Sequence, residues 1–296
     1  MTDNAYRGRF APSPTGPLHF GSLVTALASY LEARTRNGDW LIRIEDLDPL
    51  REPPEATRQI LDSLQAHYLI SPEPPRLQSA RHPAYEQTIR QLLDNGRAYY
   101  CTCSRKQLKA NDGRHAGDCR NRQQQPPEQE YAIRFALEDE TAVWQDRLLG
   151  EQRQAVRGEI DDPVLQRKEG FYAYQLAVVV DDIDQRISHV VRGSDLLPLT
   201  AQQQQIFRAL GSEPPAWLHI PVILNNEGQK LSKQTHATAI DDRQPATNLV
   251  RALRALGQQP PASLDGATPS GVLDWALENW QPGRIPVESR REGEVT

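Results

Sequence analysis

The run Arg9-Phe10-Ala11-Pro12-Ser13-Pro14-Thr15-Gly16-Pro17-Leu18-His19-Phe20-Gly21-Ser22 holds the residue types a nucleotide site needs. Its tail, His19-Phe20-Gly21-Ser22, follows a Pro/Gly-rich turn and precedes a helical pattern. Free backbone N–H groups and the positive end of a helix dipole meet an anion at such a place. Gly21 has no Cβ to hold off an adenine or ribose, and the His19 ring can donate to phosphate oxygens. A second feature is Lys230-Leu231-Ser232-Lys233-Gln234, which follows the turn residues Asn225-Asn226-Glu227-Gly228. A loop bearing two lysines and a serine can close over a triphosphate and stabilise charge that develops at phosphorus. Taken singly, His-x-Gly and paired lysines are weak signals.

Carboxylates and thiols supply the remaining chemistry. Arg43-Ile44-Glu45-Asp46-Leu47-Asp48-Pro49 sets three carboxylates where a strand ends. Glu45 is suited to face a pocket and hold a substrate ammonium, whereas Asp46 and Asp48 are read as caps of the next helix. Cys101, Cys103 and Cys119, an odd number crowded into one segment, argue against a secreted disulfide framework and leave a metal site or free thiols. The stretch from Cys101 to Gln125 also carries Arg105, Lys106, Lys109, Arg114, Arg120 and Arg122 against Asp112 and Asp118, as a phosphate-facing patch or a solvated loop would.

The elements that must position these groups read as α/β. Leu23, Leu27, Tyr30 and Leu31 recur at helical spacing, Asn37-Gly38 supplies a stop, and Trp40 to Ile44 reads as a buried strand. A strand, a nucleotide-type turn, a helix and a strand in that order begin a doubly wound parallel sheet, whose ligands bind beyond the carboxyl ends of its strands. Helices are expected around Ile60, Leu61 and Leu64, and around Tyr85, Ile89, Leu92 and Leu93. From Cys101 to Glu130 the periodicity lapses, as in an insertion outside the core. Strands are expected over Ala132 to Leu137, Leu176 to Val180, Ile187 to Val191 and Val222 to Leu224, with a helix over Thr200 to Leu210. Asp241 to Trp280 reads as a small helical unit that either touches nucleic acid or packs on the catalytic domain, and Gln281 to Thr296 as a frayed polar tail.

Composition limits the class. The 296 residues suffice for one large α/β domain with attachments, or for two domains. Mean hydropathy is −0.65, and no apolar run approaches the ~20 residues of a membrane span. Met1 to Gly8 lacks the apolar core of a signal peptide, so a cytoplasmic protein is expected. The net charge of −5 gives no global pull toward nucleic acid.

The two phosphate-type motifs, far apart in one chain, together resemble the paired signatures of class I aminoacyl-tRNA synthetases. Arg43 to Asp48, Gln78-Ser79-Ala80-Arg81, Tyr99-Tyr100-Cys101-Thr102-Cys103 and Ala173-Tyr174-Gln175-Leu176 to Asp182 are similar in order and wording to the glutamyl branch of that class. Ser22 stands where the broader class often has a second His, and the glutamyl branch has a small hydroxyl residue there too. The residues after Gln234 are too few for the anticodon-binding domains of full-length glutamyl-tRNA synthetases. In this the chain resembles the glutamyl-queuosine tRNA(Asp) synthetases, truncated paralogues of those enzymes.

That resemblance implies a Rossmann-like catalytic domain over residues 1–100 and 161–235, a zinc-bearing insertion over 101–160, and a helical C-terminal unit over 236–296 without an anticodon-binding domain. It implies a glutamate pocket of Arg9, Phe10, Ala11, Pro12, Ser13, Glu45, Tyr174 and Arg192. Gly16, His19, Gly21, Ser22, Lys230, Ser232 and Lys233 would bind ATP, with His19 and Lys233 catalytic and magnesium assisting. Cys101, Cys103, His115 and Cys119 would hold one structural zinc; two thiolates one residue apart followed by an i, i+4 pair suit a tetrahedral soft-ligand site.

The implied activity is tRNA-independent formation of glutamyl-adenylate, then transfer of glutamate to the cyclopentene diol of queuosine in the anticodon loop of tRNA(Asp), by a monomer. Three other readings are a minimal enzyme charging a tRNA 3′ end, a catalytically silent tRNA-binding paralogue, and a small-molecule nucleotidylyltransferase. At single positions, Tyr174 can be core, and Arg192 can be an ion-pair partner of Asp195.

Overall fold

The computed structural model describes residues 5–111, 119–120, 125–159, 161–231 and 237–295. Its elements are β1 (Arg7–Phe10), α1 (Phe20–Arg34), β2 (Asp39–Ile44), α2 (Ala56–Ala66), β3 (Arg76–Leu77), α3 (His82–Asp94), β4 (Ala98–Cys101) and the short α4 (Arg105–Lys109). There follow β5 (Ala132–Phe135), β6 (Thr141–Asp146), β7 (Gly150–Ala155), α5 (Val156–Glu159), β8 (Val164–Gln166), α6 (Tyr174–Asp184), β9 (His189–Gly193) and α7 (Thr200–Ala209). The chain closes with β10 (Ala216–Ile220), β11 (Ile223–Leu224), α8 (Pro245–Ala255), α9 (Pro269–Asn279) and β12 (Arg290–Arg291).

β1 pairs in parallel with β2, Arg9 opposite Leu41, and β2 in parallel with β3. β9 pairs in parallel with β10, Arg192 opposite His219, and β10 in parallel with β6, which turns back antiparallel into β7. The Ser188 N–H donates to the Arg7 carbonyl at 2.9 Å where β9 starts beside β1. The strands thus lie in the order β3-β2-β1-β9-β10-β6-β7. The chain returns from α1 to β2 through Gly38, where an added Cβ would stand 2.3 Å from the Tyr6 carbonyl oxygen. Only glycine permits that approach.

Side chains alternate across this sheet as strand geometry requires. Trp40, Ile42 and Ile44 of β2 pack with Phe20, Leu23, Leu27 and Leu31 of α1, whereas Leu41 packs with Tyr85 of α3, Leu176 and Val179 of α6 and Phe207 of α7. Val191 and Leu218 continue the first side, and Val190 and Trp217 the second. A largely parallel sheet with helices burying both faces is an α/β layer arrangement. β4, β5 and β8 form a separate antiparallel sheet beside it.

Several expectations change. Leu176 to Val180 is not a strand but the middle of α6, where Leu176, Ala177, Val178 and Val179 are all buried. A short apolar run cannot distinguish a covered strand from a helix wrapped on all sides. The strand expected to begin at Ile187 begins at His189. Asp46 and Asp48 do not cap α2, which Glu55 precedes without a side-chain cap. Asp46 instead accepts from the Ser79 N–H (2.9 Å) and hydroxyl (2.6 Å), and Asp48 accepts from Arg51 (2.8 Å) and Arg167 (3.2 Å).

The described part of the expected tail, residues 281–295, is not frayed. Ile285 and Val295 are buried with Leu249 and Leu253 of α8 and Leu273 of α9 in the core that α1 heads, and β12 pairs with β11. The Trp280 indole N–H donates to Glu32 of α1 at 2.8 Å. Packing on the catalytic layers is therefore a role the helical unit has.

Candidate active site

A cavity of about 490 Å³ opens at the carboxyl ends of β1, β2 and β9, the side of an open α/β sheet where ligands bind. Arg9, Phe10, Ala11, Pro12 and Ser13 enter it as β1 ends, Glu45 as β2 ends, Arg192 from β9, and Tyr174 from the first residue of α6. His19, Gly21, Ser22 and Lys230 line it as well, so residues far apart in sequence share one chamber. Gly16 lines a smaller adjoining cavity, which shares Pro12, Ser13, His19, Ser22 and Lys230 with the first. Ser232, Lys233 and His115 lie outside the described residues.

The floor carries an unequal set of charges. Arg9 donates to Asp182 at 3.0 Å and Arg43 donates to the same oxygen at 2.7 Å. Burial would raise the Asp182 carboxyl, but the Arg43 and Arg9 charges outweigh it and hold it below the usual carboxylate range. Asp181 is answered separately by Gln78 (3.0 Å), Arg81 (3.0 Å) and the Tyr85 hydroxyl (2.6 Å). Glu45 has one oxygen without a hydrogen-bond partner among the described residues, 3.8 Å from Arg43. Burial, partly offset by Arg43 and Arg9, pushes its carboxyl up to about 7.

Arg192 is the converse case. Arg192 is 3% exposed, and among the described residues its hydrogen-bond partners are neutral, among them His219 (2.9 Å), Gln203 (2.7 Å), the Thr200 hydroxyl (2.9 Å) and the Leu196 carbonyl (3.3 Å). The Trp217 ring lies beneath it, 4.5 Å from centroid to guanidinium carbon. The ion pair with Asp195 that the sequence allows is not formed; Asp195 pairs with Lys230. Gly193 makes room for that carboxylate, since a Cβ there would lie 2.4 Å from it. Among the described residues Arg192 meets no carboxylate, and burial lowers its affinity for the proton it keeps. A buried cation without a counter-ion is costly unless a ligand anion completes it.

Three guanidiniums, those of Arg9, Arg43 and Arg192, thus face two carboxylates, those of Glu45 and Asp182. The surplus positive charge suits a ligand whose carboxylates outnumber its ammonium groups.

Toward the other end, His19 caps α1. The Ser22 N–H donates to its Nδ1 at 3.2 Å, and the Ser22 hydroxyl lies 3.0 Å from its Nε2. The Cβ that Gly21 lacks would make only ordinary contacts with His19 and Ile223, so packing within the chain does not demand a glycine there. The open space belongs to the cavity.

Cys101, Cys103 and Cys119 converge, all three sulfurs lying within 4.8 Å of one another and Cys103 and Cys119 3.6 Å apart. Zn–S bonds of ~2.3 Å in a tetrahedron place sulfurs about 3.8 Å apart, so three ligands of such a site fit.

Sequence reasoning missed Asp146 and His219, which form a hydrogen-bonded chain behind Arg192, and the pairing of Asp182 with Arg9. Asp181-Asp182 had a signal as the end of a recognised motif; Asp146 had none, because it meets His219 only through strand pairing.

Comparison with known proteins identifies the family. Residues 5–273 match the family model of tRNA synthetases class I (E and Q), catalytic domain. The chain is similar to the glutamyl-Q tRNA(Asp) synthetase of Pseudomonas aeruginosa strain LESB58, 47% identical over 283 residues covering 96% of each chain. It is also similar to that of Vibrio parahaemolyticus, 44% identical and covering 96% of this chain and 95% of the relative. Among solved structures it resembles a glutamate tRNA ligase from Elizabethkingia meningosepticum in complex with its amino acid, with a TM-score of 0.80 and 26% identity over 97% of this chain and 67% of that one. The chain belongs to the glutamyl-Q tRNA(Asp) synthetase family of class I tRNA synthetases.

Proposed function

We propose that this ATP-dependent ligase activates L-glutamate to glutamyl-adenylate without tRNA, and then transfers glutamate to the cyclopentene diol of queuosine in the anticodon loop of tRNA(Asp). The observation that carries the amino-acid half is the pairing, in one cavity, of a buried guanidinium with only neutral partners and a buried carboxylate with an unpartnered oxygen. Glutamate supplies the opposite of each. The shared name of relatives matched over nearly their whole length supports the acceptor.

Glu45 receives the substrate ammonium, and Arg9 and Arg192 flank the carboxylates. Gly16, Gly21 and Ser22 admit ATP beside the start of α1, with its phosphates toward His19 and Lys230. The α-carboxylate then attacks the α-phosphorus, and pyrophosphate leaves. His19 and Lys233, with Ser232 of the same loop, stabilise the charge that develops; magnesium would neutralise phosphate charge when bound with ATP. Alignment and electrostatics carry the rate, with no covalent intermediate on the protein. In the second step a diol hydroxyl attacks the activated carbonyl and AMP leaves.

The test is incubation with radiolabelled glutamate, ATP and queuosine-containing tRNA, followed by nuclease digestion. Label on the queuosine nucleoside is expected. Label confined to the 3′-terminal adenosine would instead identify an enzyme that charges tRNA ends.

A further inference from the structure

The guanidinium of Arg192 is held from behind by a chain of groups that do not line the cavity. Its Nε lies 2.9 Å from Nε2 of His219, and Nδ1 of His219 lies 2.6 Å from Oδ2 of Asp146. His219 is fully buried and Asp146 nearly so. Neighbouring parallel strands create the alignment: β9 sets Arg192 opposite His219, and β10 sets Trp217 opposite Asp146.

Asp146 is itself immobilised. One of its oxygens accepts the N–H groups of Leu148 (3.0 Å) and Leu149 (2.9 Å) at the β6–β7 turn, and the other accepts the His219 N–H at 3.2 Å. A carboxylate so placed accepts only, so Nδ1 of His219 must carry the ring proton. Nε2 is then a lone pair aimed at the Arg192 Nε–H. The opposite tautomer would set N–H against N–H.

We infer that His219, locked in its Nδ1–H form by Asp146, is a positioning residue that fixes the guanidinium plane of Arg192 for a substrate carboxylate. The inference rests on the reading of the cavity as the glutamate site. Gln203, Thr200 and the Leu196 carbonyl hold the far nitrogens of the guanidinium, whereas among the described residues His219 is the group that holds Nε. Without that contact the fork rotates about its stem, and bidentate recognition depends on its plane. Misplacement by about 1 Å can cost up to 10²-fold.

The experiment compares His219→Asn, His219→Gln and Asp146→Asn in glutamate-dependent ATP–pyrophosphate exchange, each first shown to keep a cooperative melt. Asparagine at 219 keeps a donor toward Asp146 and loses the acceptor toward Arg192; glutamine puts an amide oxygen where Nε2 stood. His219→Asn is expected to raise KM for glutamate ~10-fold or more with KM for ATP unchanged, and His219→Gln to restore most of the loss. Asp146→Asn, which can donate to Nδ1 and so reverse the tautomer, is expected to raise KM for glutamate likewise. Equal behaviour of the two 219 variants, or parallel rises in both KM values, would reduce His219 to a packing residue. A readout independent of substrate is the ¹⁵N spectrum of the wild-type ring. An Nε2–H tautomer in the free protein overturns the inference even if the enzyme activates glutamate, whereas an Nδ1–H ring in a protein that activates another amino acid leaves the positioning intact and overturns the glutamate reading alone.

Discussion

Nη1 of Arg43 stands 2.7 Å from Oδ1 of Asp182, with both side chains at most 1% exposed. The same oxygen accepts from Arg9 at 3.0 Å, so one carboxylate of α6 holds a guanidinium from each of β1 and β2. Arg43 occupies a β2 position on the side where Leu41 meets the helices, and Asp182 makes that placement tolerable.

Replacing Asp182 by Ala leaves two buried guanidiniums without their counter-ion. Breaking a buried pair from one side costs about 3–5 kcal/mol, and a urea-unfolding series is expected to show a loss of that size. Because the folded-state pKa of Asp182 is depressed, its contribution is present above the unfolded carboxylate value and is lost as pH falls through the lower folded value. The acid limb of the stability profile should therefore flatten in Asp182→Asn. An unchanged limb would show that the ion pair does not govern acid stability.

Glu45 runs in the other direction. Its folded-state pKa, about 7, lies above the ordinary 4.5, so the folded protein binds the proton more tightly than the unfolded chain. Stability contributed by this group is greatest at low pH, falls between pH 4.5 and 7, and the cost stays in full above that. A shift of this size corresponds to a cost on the order of 3 kcal/mol. Glu45→Gln is expected to raise the melting temperature at pH 8 while abolishing glutamate activation, and wild-type KM for glutamate should fall as pH rises through 7. A variant no more stable than wild type at pH 8 contradicts the strain.

These two carboxylates also mark how far the sequence could be read. Glu45 was legible because it ends a strand within a recognisable run, and Arg9 to Ser22 because a turn and a helix start confine it. Asp182 lay at the edge of an apolar run whose period is ambiguous, and reading Leu176 to Val180 as a strand would have pointed its carboxylate elsewhere. Asp146 and His219 have no local pattern at all. Their meeting depends on which strands are neighbours, and nothing in either segment specifies that. Tail residues Ile285 and Val295 are isolated apolar side chains among polar ones, too few to form a period.

Lys233 follows from the paired motifs alone. Lys233→Ala is expected to slow glutamyl-adenylate formation ~10²-fold or more, the scale of one preorganised donor at a developing charge, with glutamate binding by calorimetry little changed. Exchange rates near wild type would remove this residue from the chemistry.

The thiol cluster makes a prediction about folding rather than rate. Burial and the hydrogen bond shared with Cys119 push the Cys103 thiol up to about 12, so this thiol, within 4.8 Å of the other two sulfurs, stays protonated at neutral pH unless a cation draws it into the thiolate form. Zinc does so and contributes its binding energy to the fold around it. The purified protein is expected to carry one zinc per chain by elemental analysis. Cys103→Ser should lower that content, and His115→Ala should too if the imidazole is the fourth ligand. Chelator should then open the segment after β4 to limited proteolysis while α1 and β2 stay protected, because the sheet containing β1 and β2 shares no strand with β4, β5 and β8. A metal-free protein whose cleavage pattern ignores chelator would leave the cysteines as free thiols.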